Sequence, residues 1–370
     1  MPPRLVEPAT GAAYPIDLPR WRGDAGGPLM ITPLPGIGRD DIDAAAPGLW
    51  RYRAALPLAV AVPITLGEGR TPLVAHRRGG RDVLLKLDWF GPTGSFKDKG
   101  AAIMLSVLRE QGVAALVADS SGNAGAAIAA YGAAGGLDVR ILAPEAASPA
   151  KLAQIRLYGA DVRTVAGPRQ HCEAEAIRQS TDRFYASHNW QPFFLQGTKL
   201  TAYELWEDLG FRAPDAVIIP CGAGSNVLGC DIGFGELRAA GQIDRLPRLY
   251  AAQPANCAPL AAAIAGTPAP PFATTIAEGA SIRQPVRPTE IVAAVRRSGG
   301  AGVMIADAAI GAAMLDLART GLFVEPTAAL AVAALDELLA TGAIAPGETV
   351  VALLTGTGLK AMPTAMALLE

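Results

Sequence analysis

The chain of 370 residues holds six lysines, at 86, 97, 99, 151, 199 and 360, and two of them flank Asp98 in the segment GPTGSFKDKG, residues 91–100. The glycines and proline end an extended run, and the residues after Phe96 read as the opening of a helix. A primary amine at that point feels the positive end of the helix dipole and the desolvation around it, both of which favour its neutral form. A neutral amine attacks carbonyl carbon and a guanidinium does not, so Lys97 is the candidate Schiff-base residue. A plainer reading exists, because Ser95 followed by Asp98 resembles a helix-capping box. That reading accounts for Ser95 and leaves the lysines unexplained.

Three glycine-rich loops offer binding chemistry. In CGAGSN (221–226) the backbone N–H groups of Gly222, Ala223, Gly224, Ser225 and Asn226 can converge on an anion at a helix N-terminus, as a phosphate requires. The loop lacks the third glycine of GxGxxG, since Val227 stands there, and it lacks the lysine of a P-loop. Alone it is equally a tight strand–helix turn. SSGNAG (120–125) brings the hydroxyls of Ser120 and Ser121 and the amide of Asn123 to a helix start, a set suited to a carboxylate and a ring hydroxyl, or to a capped turn. TGTGLK (355–360) puts the Thr355 hydroxyl where it can meet a neutral heteroaromatic nitrogen.

These loops need elements to aim them. The runs VLLKL (83–87), ALVAD (115–119), VRIL (139–142), AVIIP (216–220), LYAAQ (249–253) and TVVALLT (349–355) read as buried strands. Between them 101–110, 124–133, 151–157, 226–240 and 326–340 read as helices. Strand and helix in repeated succession predict an α/β architecture with mostly parallel strands, in which ligands lie at the carboxyl ends of the strands. Each glycine-rich loop follows one of those strands. The first 45 residues, rich in Pro and Gly, predict an irregular surface segment.

Composition narrows the partners. A net charge of −2 without a dense basic run gives no footprint for nucleic acid or an anionic membrane, and no apolar run approaches the length of a membrane helix. Small molecules remain as partners. The start of the chain lacks a secretory pattern, which sets the expectation of a cytoplasmic protein. Cys172, Cys221, Cys230 and Cys257 match neither a zinc pattern nor a disulfide framework, and none of the three histidines has a partner at ligand spacing, so no metal site is expected.

In this order the motifs resemble the pyridoxal-phosphate enzymes of the second fold type, the tryptophan synthase β-like superfamily, and most closely the threonine synthases. The resemblance runs through GLWRYRAALPL, LGEGRTPLV, GPTGSFKDKG, SSGNAGAAIAAY, GTKLTAYEL, VIIPCGAGSN, GLFVEPTAA and LLTGTGLK. YPIDLPRWRGDAGGPLMI (14–31) is similar to the amino-terminal module of some threonine synthases, without the cysteines found there. The resemblance implies a two-domain fold: an N-terminal segment 1–45, a large cofactor domain from 46–102 and 196–370, and a small mobile domain 103–195. It implies pyridoxal 5′-phosphate as cofactor, held by Lys97 as a Schiff base, with Asn123 on the ring hydroxyl. Gly222, Ala223, Gly224, Ser225 and Asn226 would then hold the phosphate and Thr355 would face the ring nitrogen. Ser120 and Ser121 would receive the substrate carboxylate, and Glu325 matches a recurrent position near the cofactor. A hydroxyl partner leaves the ring nitrogen largely unprotonated, which suits β/γ-elimination or replacement over transamination.

Substrate choice is where the chain departs from the pattern. A threonine synthase segment resembling NSxNPYRLEG is HNWQPFFLQG here, so His188 and Asn189 replace the Asn-Ser pair and Phe194 stands in the arginine's place. Loss of a guanidinium penalises a dianionic substrate. TIAEGASIRQPVRPTEI resembles the corresponding segment of serine/threonine dehydratases, and its Arg283 and Arg287 are either a substitute anion site or solvated charges. The expectation is therefore a lyase or synthase acting on a small amino acid, phosphohomoserine or a related γ-activated substrate. The alternatives are a serine/threonine ammonia-lyase of the short type, a β-replacement synthase using an external nucleophile, and, outside that chemistry, an NAD binder. A homodimer is expected from symmetry base rates.

Overall fold

The structure, a computed structural model, describes residues 2–147, 149–167 and 169–370, with 149–151 described by backbone alone. Three very short strands open the chain, β1 (Arg4–Val6), β2 (Ala13–Pro15) and β3 (Met30–Ile31), paired antiparallel in the order β2-β1-β3. The Glu7 carboxylate gathers the turns around them, accepting from the backbone N–H of Gly27 at 2.6 Å and the hydroxyl of Thr10 at 3.0 Å. Those bonds hold its pKa below the usual carboxylate value, against the opposing effect of burial. Trp21 from this segment packs edge-on against Tyr185 and Trp190, with ring centroids 4.9 and 5.4 Å away.

Next come β4 (Leu73–Arg78), β5 (Arg81–Leu87) and α1 (Lys97–Glu110). Then β6 (Ala115–Ala118), α2 (Asn123–Ala134), β7 (Asp138–Pro144), α3 (Pro149–Leu157), β8 (Asp161–Val165), α4 (Arg169–Arg178) and β9 (Phe184–Tyr185) form a four-stranded parallel sheet with its helices, in the order β8-β7-β6-β9. After α5 (Pro192–Thr198) and α6 (Leu200–Asp208) the chain continues through β10 (Ala216–Pro220), α7 (Ser225–Ala239), β11 (Arg248–Pro254), α8 (Pro259–Ala265) and α9 (Pro288–Arg297). It ends through β12 (Gly302–Ile305), α10 (Asp307–Arg319), α11 (Pro326–Ala340), β13 (Val350–Leu354) and α12 (Met362–Ala367). The larger sheet has the order β12-β11-β10-β13-β5-β4, parallel except at the β4–β5 hairpin.

The uninterrupted apolar runs of β10 and β13 have a direct cause. Val217, Ile219, Val351 and Leu353 point into a core beneath α1, α5, α6 and α7, while Ile218, Ala352 and Leu354 point into a second core under α10 and α11. Alternate side chains therefore bury on both faces, as a covered parallel sheet demands. The strands expected from sequence at β5, β6, β7, β10, β11 and β13 are all present, as are helices at α1, α2, α3, α7 and α11. The sequence reading did not anticipate β4, β8, β9 or β12, which are edge strands or only partly apolar.

Among the described residues no helix is long and apolar enough to cross a membrane, and no group of three or more His, Cys, Asp or Glu is placed to hold a metal ion. The four cysteines are free and buried. Burial pushes the Cys221 thiol, at the head of the phosphate-type loop, up to about 12, which leaves it unreactive.

Candidate active site

α1 begins at Lys97, and its entry is tied to the end of β13. The Phe96 N–H donates to the Thr355 carbonyl at 3.0 Å and the Thr357 N–H to the Gly94 carbonyl at 3.1 Å, so Lys97 and Thr355 share one ledge at the carboxyl end of the large sheet. The Lys97 Nζ lies 4.6 Å from the Phe96 ring centroid and 5.4 Å from that of Phe194. Burial, followed by the positive charge of Arg169, draws its pKa down to about 7, with Glu325 opposing the shift. The amine is thus substantially neutral near pH 7, the state a carbonyl-attacking lysine needs.

The capping box is not formed. Among the described residues the Ser95 hydroxyl has no partner, and the Asp98 carboxylate instead accepts from the backbone N–H and hydroxyl of Thr93, at 3.0 and 2.5 Å. Lys99, the second lysine of the motif, has a structural task. It is buried 2.7 Å from Asp88 and 2.9 Å from Glu204, carboxylates that overcome the cost of its burial and raise its pKa.

The loop after β10 turns into α7 through Gly224, whose φ of +81° is left-handed backbone that glycine adopts freely. A side chain there would also strike Ile291. Gly222 to Asn226 therefore present their backbone at a helix start, where N–H groups lack intrahelical partners. Among the described residues the buried Asn226 amide finds a partner for neither Oδ1 nor Nδ2, and the buried Thr355 hydroxyl is equally unbonded. Each such atom costs about 1–3 kcal/mol in a folded protein. A ligand carrying a phosphate and an aromatic nitrogen fits this donor set, and pyridoxal 5′-phosphate is such a ligand.

From the small sheet, β6 delivers Ser120, buried, and Ser121, half-buried, to the start of α2. Asn123, the first residue of α2, donates from Nδ2 to Glu325. Glu325 caps α11, and its own N–H donates to the Gly356 carbonyl at 3.0 Å. A side chain at Gly356 would collide with the Glu325 carboxylate, so that glycine admits the acid to the ledge of Thr355 and Lys97.

His188 is 5% exposed and has no hydrogen-bond partner among the described residues; its ring centroid lies 5.7 Å from that of Phe194. Burial, together with the charges of Lys97 and Arg169, pushes its pKa well below the ordinary range, so the imidazole is neutral. The Oδ1 of Asn189 is likewise buried and unbonded. Phe194 is fully buried and fills the space left by Gly100.

Neither expectation for Arg287 survives. At 3% exposure it is not solvated, and its guanidinium donates to carbonyl oxygens of Leu29, Asn189 and Trp190, so it is not an anion site. It pins the substrate-side segment to the N-terminal module. Arg283 is the exposed one, lying over the Phe272 ring at 3.2 Å. Sequence reasoning missed Arg169, which acts electrostatically on both Lys97 and His188. Its only local sign is an arginine directly after a Gly-Pro pair, beyond a strand too polar to be noticed.

Comparison with known proteins identifies the family. The family described as "Pyridoxal-phosphate dependent enzyme" matches residues 64–356. A threonine synthase from Methanosarcina acetivorans is 34% identical over 337 residues, 88% of this chain and 83% of that protein. A threonine synthase from Synechocystis is 36% identical over 320 residues, 84% of this chain and 82% of its own length. Among solved structures, the processed form of threonine deaminase isoform 2 from Solanum lycopersicum superposes with a TM-score of 0.72 at 21% identity, covering 93% of this chain and 97% of that one. At that identity the likeness speaks for the fold.

Proposed function

The chain belongs to the pyridoxal-phosphate dependent enzymes, and we propose that it catalyses β/γ-elimination or replacement on a small amino acid in the manner of threonine synthase, on phosphohomoserine or a related γ-activated substrate. The observation that carries this reading is Lys97, an amine drawn to about 7 on the same ledge as the buried, unbonded Thr355 hydroxyl. When bound, the cofactor supplies an electron sink for charge developing at the substrate's α carbon.

The protein's own residues do the rest. Lys97 would hold the cofactor and, released by substrate, take the proton from the α carbon and deliver it further along the chain. Thr355 would offer the ring nitrogen an uncharged partner, which would limit the sink and favour departure of a β or γ substituent. Gly222 to Asn226 would hold the phosphate, Asn123 the ring hydroxyl, and Ser120 with Ser121 the substrate carboxylate. The segment 103–195 would close over the cleft and exclude water, which unchanged scattering with and without a substrate analogue would refute. The assembly expected is a homodimer, which sedimentation measures.

One observation favours a second reading. Phe194, buried and apolar, offers no charge to a phosphorylated substrate, which suits a serine/threonine ammonia-lyase. Incubating holoenzyme with a panel of amino acids and assaying phosphate, ammonia and 2-oxo acid separates the two. Phosphate release from phosphohomoserine supports the first, 2-oxo acid with ammonia from serine or threonine supports the second, and borohydride must fix the cofactor label on Lys97 in either case.

A further inference from the structure

The loop between β10 and α7 contains one peptide whose direction the helix does not set. From Ser225 onward α7 aims the backbone N–H groups along its own axis, but the Cys221–Gly222 peptide lies ahead of the left-handed turn at Gly224. A trans peptide unit points its C=O and its N–H in opposite directions, so whatever fixes the Cys221 carbonyl also aims the Gly222 N–H.

That carbonyl is fixed by Gln253. The residue is wholly buried near the carboxyl end of β11, the parallel neighbour of β10. Its Nε2 donates to the Cys221 carbonyl at 3.0 Å, while its Oε1 accepts from the N–H groups of Leu260 and Ala261 at the start of α8, at 2.8 and 2.9 Å. With the oxygen committed to two N–H donors, only the nitrogen can face the carbonyl. Gly222 is also walled in, since a Cβ there would lie 2.6 Å from the Gly279 carbonyl oxygen, and the Gly279 N–H is itself held by the Thr327 hydroxyl at 3.1 Å. Among the described residues the N–H groups of Gly222 to Asn226 find no backbone acceptor, unlike that of Cys221, which donates to the Ala252 carbonyl at 2.8 Å.

Building on the function proposed above, in which this loop holds the cofactor phosphate, we propose that Gln253 is a positioning residue for that phosphate: by holding the Cys221 carbonyl it turns the Gly222 N–H into the set that grips the anion. Without the amide the peptide is free to rotate and set a carbonyl oxygen against the phosphate, so an attraction becomes a repulsion. Gln253 itself touches neither cofactor nor substrate in this account.

The test titrates cofactor-free protein with pyridoxal 5′-phosphate and with pyridoxal, which carries the ring and aldehyde without the phosphate, and records the melting temperature with and without inorganic phosphate. The wild-type protein should bind the phosphorylated ligand more tightly and melt higher in phosphate. Gln253→Met should weaken pyridoxal 5′-phosphate about tenfold or more, pyridoxal less than about twofold, and cancel the protection by phosphate. Equal weakening of both ligands would make the residue a general prop and overturns the proposal, as does undiminished affinity for pyridoxal 5′-phosphate. Should the variant not fold, a crystal structure of the wild-type holoenzyme decides: a Gly222 N–H on a phosphate oxygen, with the Cys221 carbonyl still on Gln253, supports the proposal, and a Gly222 N–H turned away from the phosphate overturns it. If wild-type protein binds both ligands equally and phosphate gives no protection, the reading of 222–226 as the phosphate loop falls and takes the proposal with it.

Discussion

Asn123 and Glu325, 202 positions apart in the chain, meet through one amide nitrogen that donates to both carboxylate oxygens, at 3.1 and 3.2 Å. The bond joins the first residue of α2, on the small sheet, to the cap of α11, under the large one. Both residues face the ledge of Lys97 and Thr355, so an assembly contact and a ligand-binding position coincide.

Asn123→Asp sets a second carboxylate against Glu325 and removes the donor. The cofactor-free protein should lose about 1.5–3 kcal/mol, the net worth of a hydrogen bond to a charged group. Chemical denaturation of the apo form measures it. Cofactor affinity should fall at least tenfold, read from equilibrium titration of the absorbance band.

Lys97 sets a pH dependence that can be worked out in sign. Its folded pKa, about 7, lies below the ordinary 10.5, so below pH 7 the amine is charged in both states and the fold bears the full penalty of burying it. Between pH 7 and 10.5 the unfolded chain holds more protons and this contribution to stability rises with pH. Lys97→Met should therefore stabilise the apo protein most at pH 6 and hardly at all near pH 10.5, while eliminating borohydride-fixed label. In the wild-type protein, capture of the cofactor aldehyde should slow about tenfold per unit below pH 7 as the neutral amine is depleted, checked by stopped-flow absorbance.

Gly224→Ala asks an L-residue to adopt φ +81° and to share space with Ile291. The backbone alone costs about 1–2 kcal/mol. Because the strain sits where Ser225 and Asn226 open α7, the melting temperature should drop and cofactor release on dialysis should quicken. Gly222→Ala, a position without positive φ, would separate crowding from backbone strain.

Arg287→Met leaves the carbonyls of Leu29, Asn189 and Trp190 without their shared donor. Stability should fall by about 1–3 kcal/mol. Limited proteolysis should become faster within residues 1–45, and substrate affinity should weaken more than cofactor affinity, because the segment that comes loose carries His188 and Asn189.

The sequence revealed what local chemistry controls. AVIIP and TVVALLT are strands because both their faces are covered, and that condition is written in their own residues. Lys97, the 222–226 loop and Thr355 stood out because their types fit one chemistry in one order. What escaped was decided at long range. Arg287 is indistinguishable from a surface arginine until Leu29 and Trp190 are brought to it. Arg169 gains meaning only when the fold brings its charge to bear on Lys97 and His188, and the half-exposed DVRTV before it carries no strong signal of its own. Asp98 could not be assigned to Thr93 over Ser95 from spacing alone, since both lie within reach of a short carboxylate.

Arg287 grips its neighbours by carbonyl oxygens, which every amino acid possesses. Position 189 can therefore be exchanged without loosening the strap that carries it. Selectivity can drift across generations of such proteins while the frame holding the reactive amine stays fixed, so new substrates can be acquired without rebuilding the catalyst.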